Sequence, residues 1–290
     1  MQISVKDLSY VYSKNSKALA VHALDKVNLT VEEGSFLGIV GHTGSGKSTF
    51  IQHLNGLIKM EKDSGSIKIG EFDLADKNCD FRALRSKLGM VFQYPEYQLF
   101  AETVFEDVAF GIKNFMPQTT PEQTAEMVKN ALLTVGLDYE KVKDRSPFEL
   151  SGGQKRRVAI AGVIVTKPEV LVLDEPVAGL DPVGKKEFIS LLKRLHKTFV
   201  KTIIIVSHDL NIVAEHCNKV AVFSHGKVVA VGTPKEIFSN AQKATELGLK
   251  LPATAMLEDA LKKVGLTVDS NLTEDGFVSA FVNAIKGGKG

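Results

Sequence analysis

The sequence has little cysteine and no long apolar run. Its two cysteines, Cys79 and Cys217, stand far apart and outside any metal-ligand spacing, which argues against a disulfide scaffold or a zinc module and fits a reducing compartment. The longest apolar run, at 158–165, falls well short of the ~20 residues that cross a bilayer. Lys6 and Asp7 carry charge where a signal peptide would be apolar. We therefore expect a chain that does not cross a membrane by itself.

There is also no excess of charge of one sign, because 36 lysines and arginines face 34 aspartates and glutamates, for a formal net charge of +2. The two signs are interspersed, so the overall charge gives no case for nucleic acid as a partner, although a local basic patch stays open. The chain has 290 residues, 44% of them apolar, enough to bury a core without disulfides or metal. This length predicts one large domain or a domain with an appendage.

Strand patterns come first along the chain. Apolar residues alternate over 3–12 and again over 27–31, the period of half-buried strands, and predict a small antiparallel sheet. The continuous apolar run at 36–40 predicts a strand that is buried on both faces. A glycine-rich turn and a helix-like segment beginning near Lys47 follow this strand.

That glycine-rich turn, GHTGSGKS at 41–48, matches the phosphate-loop pattern G-x-x-x-x-G-K-[ST]. Glycines let consecutive N–H groups curl around an anion, and the following helix directs its positive end at the phosphates. Lys47 can reach the β- and γ-phosphates, and the Ser48 hydroxyl can ligate magnesium. The predicted phosphate-binding residues are Gly41, His42, Thr43, Gly44, Ser45, Gly46, Lys47, Ser48 and Thr49. Alone, the loop indicates a nucleoside triphosphate and no particular reaction.

The middle of the chain, from about 94 to 160, has a helical pattern. Thr120, Pro121 and Gln123 supply a cap, a first-turn proline and a capping-box glutamine in order. Apolar residues then recur at helical spacing up to Gly136, a C-terminal glycine. This pattern predicts a helical subdomain inserted between two α/β portions.

A second glycine-rich segment follows Leu150 and consists of Ser151, Gly152, Gly153 and Gln154. A capping box explains the serine and the glutamine, but the two glycines cost a helix ~1 kcal/mol each inside its first turn. They leave bare N–H groups at a positive helix end, which suits a phosphate. Because the chain already has one phosphate loop, this segment makes sense if it serves a nucleotide held by another copy.

Two carboxylates, Asp174 and Glu175, end an apolar strand at 170–173. Strand alternation predicts that their side chains point to opposite faces. Asp174 is then expected at the magnesium and Glu175 at the γ-phosphate, as the base for the attacking water. His208 follows a strand at 202–206, at the carboxyl end where α/β sheets place their sites. Gln93, after another apolar stretch, is individually a weak signal.

The last third of the chain predicts a hairpin about His225 and Gly226, followed by another cap and box at 233–236. After about Asn240, two amphipathic stripes follow, one over 256–264 and one over 277–285. We interpret them as a small appendage whose last residues, 287–290, are frayed.

In this order, the phosphate loop, Gln93, the 150–154 segment, the 173–175 carboxylates, Gly179-Leu180-Asp181 and His208 resemble an ATP-binding cassette ATPase domain over residues 1–240. The resemblance implies an α/β P-loop NTPase core with an antiparallel β-subdomain and a helical subdomain inserted at about 94–160. It also implies a small α-rich C-terminal appendage, 241–290, that joins two ATPases, and it implies ATP and Mg²⁺ as cofactors.

The resemblance gives each matching residue a role. Tyr12 would stack on adenine, a contact of ~1–3 kcal/mol by analogy with base–aromatic stacking. Gln93 would touch magnesium, together with Ser48 and Asp174, and would sense the transporter. Lys47, Glu175 and His208 would act at the γ-phosphate. Asp181 would couple two sites, because in this family two domains clasp two ATP molecules head to tail and each 151–154 segment closes the other's site.

Finer motifs narrow the resemblance. Residues 92–100, FQYPEYQLF, with 103–104 and 107–111, are similar to energy-coupling factor transporter ATPases and to cobalt- and nickel-importer ATPases, which stay the alternative. Residues 41–43 and 52–56 are more similar to the second of the two paralogous subunits. The implied partners are a non-identical second ATPase, a transmembrane coupling protein and small vitamin-binding membrane subunits. The chain would then sit peripherally on the cytoplasmic side of the cell membrane.

Several alternatives stay open at this point. The aromatic residues at 92–100 suit either the core of the helical subdomain or an exposed groove for a membrane partner. Val177 and Ile112 depart from the family pattern, where Thr or Ser and Pro are usual. A soluble cassette ATPase acting on nucleic acid or ribosomes is the main rival, and the near-zero net charge argues against it. A regulatory module without turnover fits poorly with Glu175 and His208. A GTPase is disfavoured, because Asn218-Lys219 is not followed two residues later by the Asp needed to read guanine.

Overall fold

Two β-sheets organise the chain, whose computed structural model describes residues 1–13, 20–238 and 241–287. Ten strands occur in these residues: β1 (Ile3–Tyr12), β2 (Val21–Val31), β3 (Phe36–Val40), β4 (Ser66–Ile69), β5 (Phe72–Asp73), β6 (Leu88–Val91), β7 (Val170–Asp174), β8 (Thr202–Val206), β9 (Lys219–Ser224) and β10 (Lys227–Gly232).

The larger sheet has six strands in the order β10-β9-β3-β8-β7-β6. From β9 to β6 its neighbours run parallel, with Phe36 of β3 opposite Ile203 of β8. All five residues of β3 and all five of β8 are buried, as the continuous apolar runs predict for strands covered on both faces. The carboxyl ends of β3, β7 and β8 therefore meet at one edge, where sites of open α/β sheets form.

The smaller sheet is antiparallel, in the order β2-β1-β4-β5. Ile3 of β1 stands opposite Val31 of β2 and Ile69 of β4. Its apolar face shares a cluster with the larger sheet, in which Leu37, Phe50 and Phe223 are also buried. The predicted antiparallel subdomain is thereby confirmed, and it lies against the α/β core that the phosphate loop belongs to.

Twelve α-helices are present in the described residues: α1 (Lys47–Leu54), α2 (Phe81–Lys87), α3 (Val104–Phe115), α4 (Pro121–Thr134), α5 (Tyr139–Val142), α6 (Gly152–Ile164), α7 (Pro182–Thr198), α8 (Leu210–His216), α9 (Pro234–Phe238), α10 (Ala241–Glu246), α11 (Ala253–Lys263) and α12 (Glu274–Gly287). Two one-turn 3-10 helices, Pro95–Gln98 and Pro147–Glu149, precede α3 and α6.

The predicted helix starts and the predicted hairpin are present. Thr120 and Gln123 form the capping box of α4, and Gly136 follows that helix with a φ of 78°. A second capping box stands at the start of α9, where the Thr233 N–H donates to Glu236 Oε2 and the Glu236 N–H donates to Thr233 Oγ1. His225 and Gly226 both adopt positive φ between β9 and β10, as a tight hairpin turn requires.

Helices α3 to α6 occupy the interval between β6 and β7, and they pack on one another through buried Val108, Ile112, Leu132 and Val158. This helical layer is the region predicted as an insertion. Helix α6 continues to Ile164, past the predicted limit near 160. Residues of α6 are buried in the same apolar cluster as residues of α3, α4, β7 and β8, so this helix belongs both to the helical layer and to the α/β core.

Helices α10 to α12 form the C-terminal segment. Of the residues predicted to be frayed, 287–290, Gly287 is the last residue of α12. The predicted boundary at Asn240 and residues 288–290 lie outside the described residues. Ala255 and Leu272 are buried in the main apolar cluster, and the Ala253 N–H donates to Asn211 Oδ1 at 2.7 Å. Within the described part of the chain, no helix has both the length and the apolarity to span a membrane.

Candidate functional site

The glycine-rich loop joins the buried end of β3 to the first turn of α1. Gly41 has a φ of 145°, and a Cβ there would lie 2.1 Å from the Phe223 carbonyl oxygen. Gly46 has a φ of 101°, and its Cβ would lie 2.4 Å from the Ala23 carbonyl oxygen. Both positions need glycine because of backbone conformation and because of neighbouring backbone atoms. The sequence pattern of the loop thus follows from the fold at these two positions.

Lys47 is buried at the start of α1, and its Nζ lies inside the loop. It donates to the Gly41 carbonyl at 2.7 Å and to the His42 carbonyl at 2.8 Å. Burial lowers the pKa of Lys47, while the charges of Glu175 and Asp174 act in the opposite direction. The cation is therefore held inside the loop, with two carboxylates near it.

The two carboxylates after β7 have different environments. Asp174 ends the strand, and burial raises its pKa while the neighbouring Ser48 side chain opposes this shift. Glu175 lies beyond the strand with a φ of 46°. The prediction that alternation sends these side chains to opposite faces is wrong, because Glu175 has left the extended conformation on which alternation depends. Both side chains line the same cavity.

His208 reaches Glu175 from the end of β8. Its backbone N–H donates to Glu175 Oε2 at 3.2 Å, and its Nε2 lies 3.2 Å from Glu175 Oε1. Burial raises the pKa of Glu175, and the nearby His208 opposes this shift. A carboxylate whose pKa is raised is a stronger base than an exposed one.

These groups surround a cavity of 780 Å³. Predicted residues on its wall are Tyr12, Thr43, Gly44, Gly46, Lys47, Ser48, Thr49, Gln93, Asp174, Glu175 and His208. The Tyr12 hydroxyl lies 3.3 Å from Thr49 Oγ1, and the ring is partly exposed at the cavity's edge. Among these predicted residues, one aromatic ring, one lysine, two carboxylates and one imidazole therefore share a single space. Ser45 is buried beside Lys47 Nζ.

The 151–154 segment is elsewhere. Among the described residues that line this cavity, none comes from 151–154. Ser151 and Gln154 form the predicted capping box of α6, and Ser151, Gly152 and Gly153 are exposed. A Cβ at Gly152 or at Gly153 would meet no atom within 4 Å. The chain's own packing thus gives no reason for glycine at either position.

Asp181 starts α7 and accepts a hydrogen bond from the Gly184 N–H at 2.7 Å. Its neighbours Gly179 and Leu180 line the cavity, but Asp181 does not. Within the described residues, Asp181 therefore has a helix-capping contact and is not among the residues that line the cavity.

Two charged residues in the site are missing from the sequence-based prediction. Lys185 and Asp209 both line the cavity, and Lys185 Nζ lies 2.7 Å from Asp209 Oδ2. Asp209 also caps α8 through the Ile212 N–H. The sequence carried a partial signal, since Asp209 follows His208 and a capping residue is expected before a helix. Nothing local identifies Lys185 as its partner.

A second concave surface, which we name the aromatic groove, lies between α2, α3 and α6. Its cavity measures 260 Å³, and Phe92, Gln98, Phe100, Phe110 and Phe115 are among the residues on its wall. Phe100 and Phe110 pack edge to face at 4.9 Å, yet they are 60% and 49% exposed. Their exposure favours a surface over a core role for these aromatics. Tyr97, three residues before Phe100 in the chain, is 84% exposed.

Comparisons with known proteins agree with this geometry. A family model described as ABC transporter matches residues 24–178. The energy-coupling factor transporter ATP-binding protein EcfA2 of Clostridioides difficile strain 630 is 48% identical over 273 residues, which cover 94% of this chain and 93% of that protein.

Solved structures show the same likeness. CbiO1 from Clostridium perfringens, described as part of the ABC transporter complex cbiONQ, has a TM-score of 0.72 at 38% identity, over 89% of this chain and 98% of that one. The ATP-binding cassette MJ0796, solved as a dimer in a post-hydrolysis state bound to ADP and Pi, has a TM-score of 0.69 at 29% identity. That match covers 80% of this chain and 98% of that one.

Proposed function

The chain belongs to the ABC transporter family, among the energy-coupling factor ATP-binding proteins, and from this premise we propose how its residues divide the work. It is an ATP-binding and ATP-hydrolysing subunit of an energy-coupling factor transporter. The observation that carries the assignment of roles is the meeting of Lys47, Glu175 and His208 in one cavity below the glycine loop.

The nucleotide site suits ATP with magnesium. The loop amides and Lys47 would hold the phosphates, and Tyr12 would lie against the base. Mg²⁺ prefers oxygen ligands, and the Ser48 hydroxyl and the Asp174 carboxylate both line the cavity. Together with the Gln93 amide oxygen, they would hold the ion. When bound, Mg²⁺ would neutralise charge on the phosphates.

Glu175 is the base in this proposal. Its raised pKa and its position beside His208 suit it to take a proton from the attacking water. His208 contacts the carboxylate through both its backbone N–H and its ring Nε2. The ring is 54% exposed, so it would also contact the γ-phosphate. The left-handed backbone at Glu175 turns the side chain into the cavity, so the strained conformation serves the reaction.

The 151–154 segment serves a second ATPase. Neither space nor backbone conformation requires Gly152 and Gly153 in this chain, and α6 presents its N-terminal N–H groups to solvent beside them. A phosphate bound in a partner's loop would fit such an end. We infer that the partner is a non-identical ATPase and that Asp181 couples the two sites across the interface.

The aromatic groove is the proposed contact with the transmembrane coupling protein. Exposed aromatic side chains around a concave surface suit a helix from a partner, and Phe100 and Phe110 give the groove such a rim. Contact at this groove would hold the chain peripherally on the cytoplasmic side of the cell membrane. Small membrane subunits would then choose the transported vitamin or other micronutrient.

The C-terminal helices are the proposed joint between the two ATPases. Met256, Leu257 and Val264 of the α11 region, with Val278 and Ile285 of α12, are exposed apolar residues. Helices of this kind bury their apolar stripe against another element. The limits of the units, 1–240 and 241–290, with the helical part at about 94–160, are part of this proposal.

Purification from detergent-extracted membranes tests the assignment. A tagged chain should recover a second ATPase with its own phosphate loop and a multi-span membrane protein. Phe110→Asp in the groove should release the membrane protein but keep the second ATPase. Leu133→Asp is the matched control, because Leu133 is similarly exposed, at 52%, on α4 outside the groove. Recovery with RNA or DNA, and with no membrane protein, would overturn the transporter role.

A further inference from the structure

Arg156 is a buried cation that joins three separate parts of the site. It lies on α6 and is 5% exposed. Its Nη1 and Nη2 both donate to the Ala178 carbonyl at 3.2 Å. Its Nε lies 3.5 Å from Glu96 Oε2. One guanidinium therefore contacts the turn that follows Gln93 and also the turn that leads to Asp181.

The two facing atoms of the ion pair have no other hydrogen-bond partner among the described residues. Arg156 Nε and Glu96 Oε2 are both buried, and within the described part of the chain neither has a hydrogen bond. Separating them would leave the buried Arg156 guanidinium without its counter-charge, which is costly. The planar fork of arginine can serve two acceptors in fixed directions, which the single ammonium of lysine cannot do. The contact therefore resists independent movement of the two turns.

Residues that follow Glu96 and residues that follow Arg156 in the chain both line the aromatic groove. Gln98 and Phe100 follow Glu96 in the chain, and Ala159 and Val163 follow Arg156 along α6. In the other direction, Gln93 and Ala178 line the nucleotide cavity. The Arg156–Glu96 pair thus stands between the surface proposed for the membrane partner and the site proposed for ATP.

We propose that Arg156 is a positioning residue that makes the 93–98 turn, the start of α6 and the 178–181 turn move as one body, so that events in the nucleotide cavity change the aromatic groove. This inference rests on the proposed function of the two surfaces. A buried ion pair is weak evidence for stability, since apolar pairs of similar volume often pack as well. Its value here is in fixing the relative positions of three turns.

Hydrogen exchange with and without Mg-ATP tests this coupling in the full chain. The background is Glu175→Gln, which is expected to bind ATP without turnover. In this background, Mg-ATP should slow exchange in 176–184 and also in 95–100. The double variant Arg156→Met/Glu96→Leu removes both charges but keeps apolar volume. It should bind Mg-ATP with an affinity near that of its background and lose at least roughly fivefold of the protection in 95–100, the low end of allosteric couplings.

Glu96→Gln, which keeps the shape of the side chain, is the second variant if the double variant does not fold. It should also weaken protection in 95–100. Arg157→Lys is the matched control, because Arg157 is the next residue on α6 but is half exposed and pairs with Glu187 at 2.7 Å; it should keep the background pattern. Full protection of 95–100 in the double variant or in Glu96→Gln overturns the proposal. Failure of the parent to bind Mg-ATP would instead overturn the proposed nucleotide site.

Discussion

His208 holds Glu175 from two sides, with its backbone N–H 3.2 Å from Oε2 and its imidazole Nε2 3.2 Å from Oε1. The two residues stand 33 positions apart in the chain, and they meet because β7 and β8 are neighbours in the parallel sheet. The same edge brings Lys47 within electrostatic range of Glu175. The arrangement proposed for catalysis is thus a product of strand order.

Glu175→Gln should keep ATP binding and lower turnover by ~10²-fold or more, because an amide of the same shape cannot accept the water's proton. Phosphate release and equilibrium nucleotide binding, measured on the purified complex, check the two halves separately. Glu187→Gln is the control, since Glu187 is exposed and pairs with Arg157 away from the cavity. Turnover near the wild-type rate in Glu175→Gln would remove Glu175 from the role of base.

Gly153→Ala should leave the chain as stable as before or up to ~1 kcal/mol more stable, because alanine favours the helix over glycine. No atom lies within 4 Å of the new Cβ. The assembled ATPase pair should nevertheless lose roughly tenfold or more of its activity, as expected when a reacting group is displaced by a side chain. Thermal unfolding and phosphate release are the two measurements.

The contrasting variant for that test is Gly46→Ala. Its Cβ would collide with the Ala23 carbonyl, and its φ is 101°, so this chain should lose more than ~1 kcal/mol of stability. If Gly153→Ala destabilised the isolated chain to the same degree, the glycine would serve the chain itself and the argument for a partner site would fail.

Lys185→Met should lower kcat by roughly threefold to tenfold with little change in KM for ATP. The reason is that the Lys185–Asp209 contact at 2.7 Å links α7 to the loop of His208, and losses along such links commonly cost 0.5–2 kcal/mol of coupling. Lys186→Met is the matched control from the adjacent position, which does not line the nucleotide cavity. Equal rates for the two variants would show that the contact does not support hydrolysis.

His53 predicts an acid-side loss of stability. Burial lowers the pKa of His53 from its ordinary value of 6.5. Above that value, neither the folded nor the unfolded state holds a proton there, and the free energy of unfolding is at its full value. Below it the unfolded state protonates first, so this free energy decreases as the pH falls, by at most ~1.4 kcal/mol per pH unit for one group.

Urea unfolding between about pH 7.5 and about pH 5.5 measures this slope. His53→Gln should reduce the slope of the free energy of unfolding against pH, because glutamine does not titrate. Its amide can still donate to the Thr49 carbonyl that His53 contacts at 2.8 Å. Some slope should persist, because burial also lowers the pKa of His216. His22→Gln, at an exposed position of β2, is the control. An unchanged slope in His53→Gln would contradict the prediction.

Features that depend on neighbouring residues could be predicted from the sequence. The loop at 41–48, the capping boxes at Thr120 and Ser151, and the hairpin at Gly226 are all local, and each is present. Buried strands could be predicted too, because covering both faces requires continuous apolar residues. The α/β fold could be predicted for this reason, and the six-stranded sheet confirms it.

Features that depend on residues far apart in the chain could not be predicted from the sequence. The pairs Arg156–Glu96 and Lys185–Asp209 join positions that no motif connects, and each exists because the sheet brings several turns to one edge. The direction of Glu175 was also out of reach, since a single left-handed residue at the end of β7 cancels the alternation that the strand pattern predicts.

The bond between Asn211 and Ala253 has a thermodynamic consequence. A side chain of α8 satisfies an N–H at the start of α11, and Ala255 and Leu272 are buried in the same apolar cluster as Ile212 and Val213. A helix unfolds together with a neighbouring element when that element accepts its first N–H hydrogen bond and packs against its buried side chains. The C-terminal helices and the His208 region should therefore unfold in one cooperative transition, and calorimetry of the full chain should show a single heat-absorption peak for both.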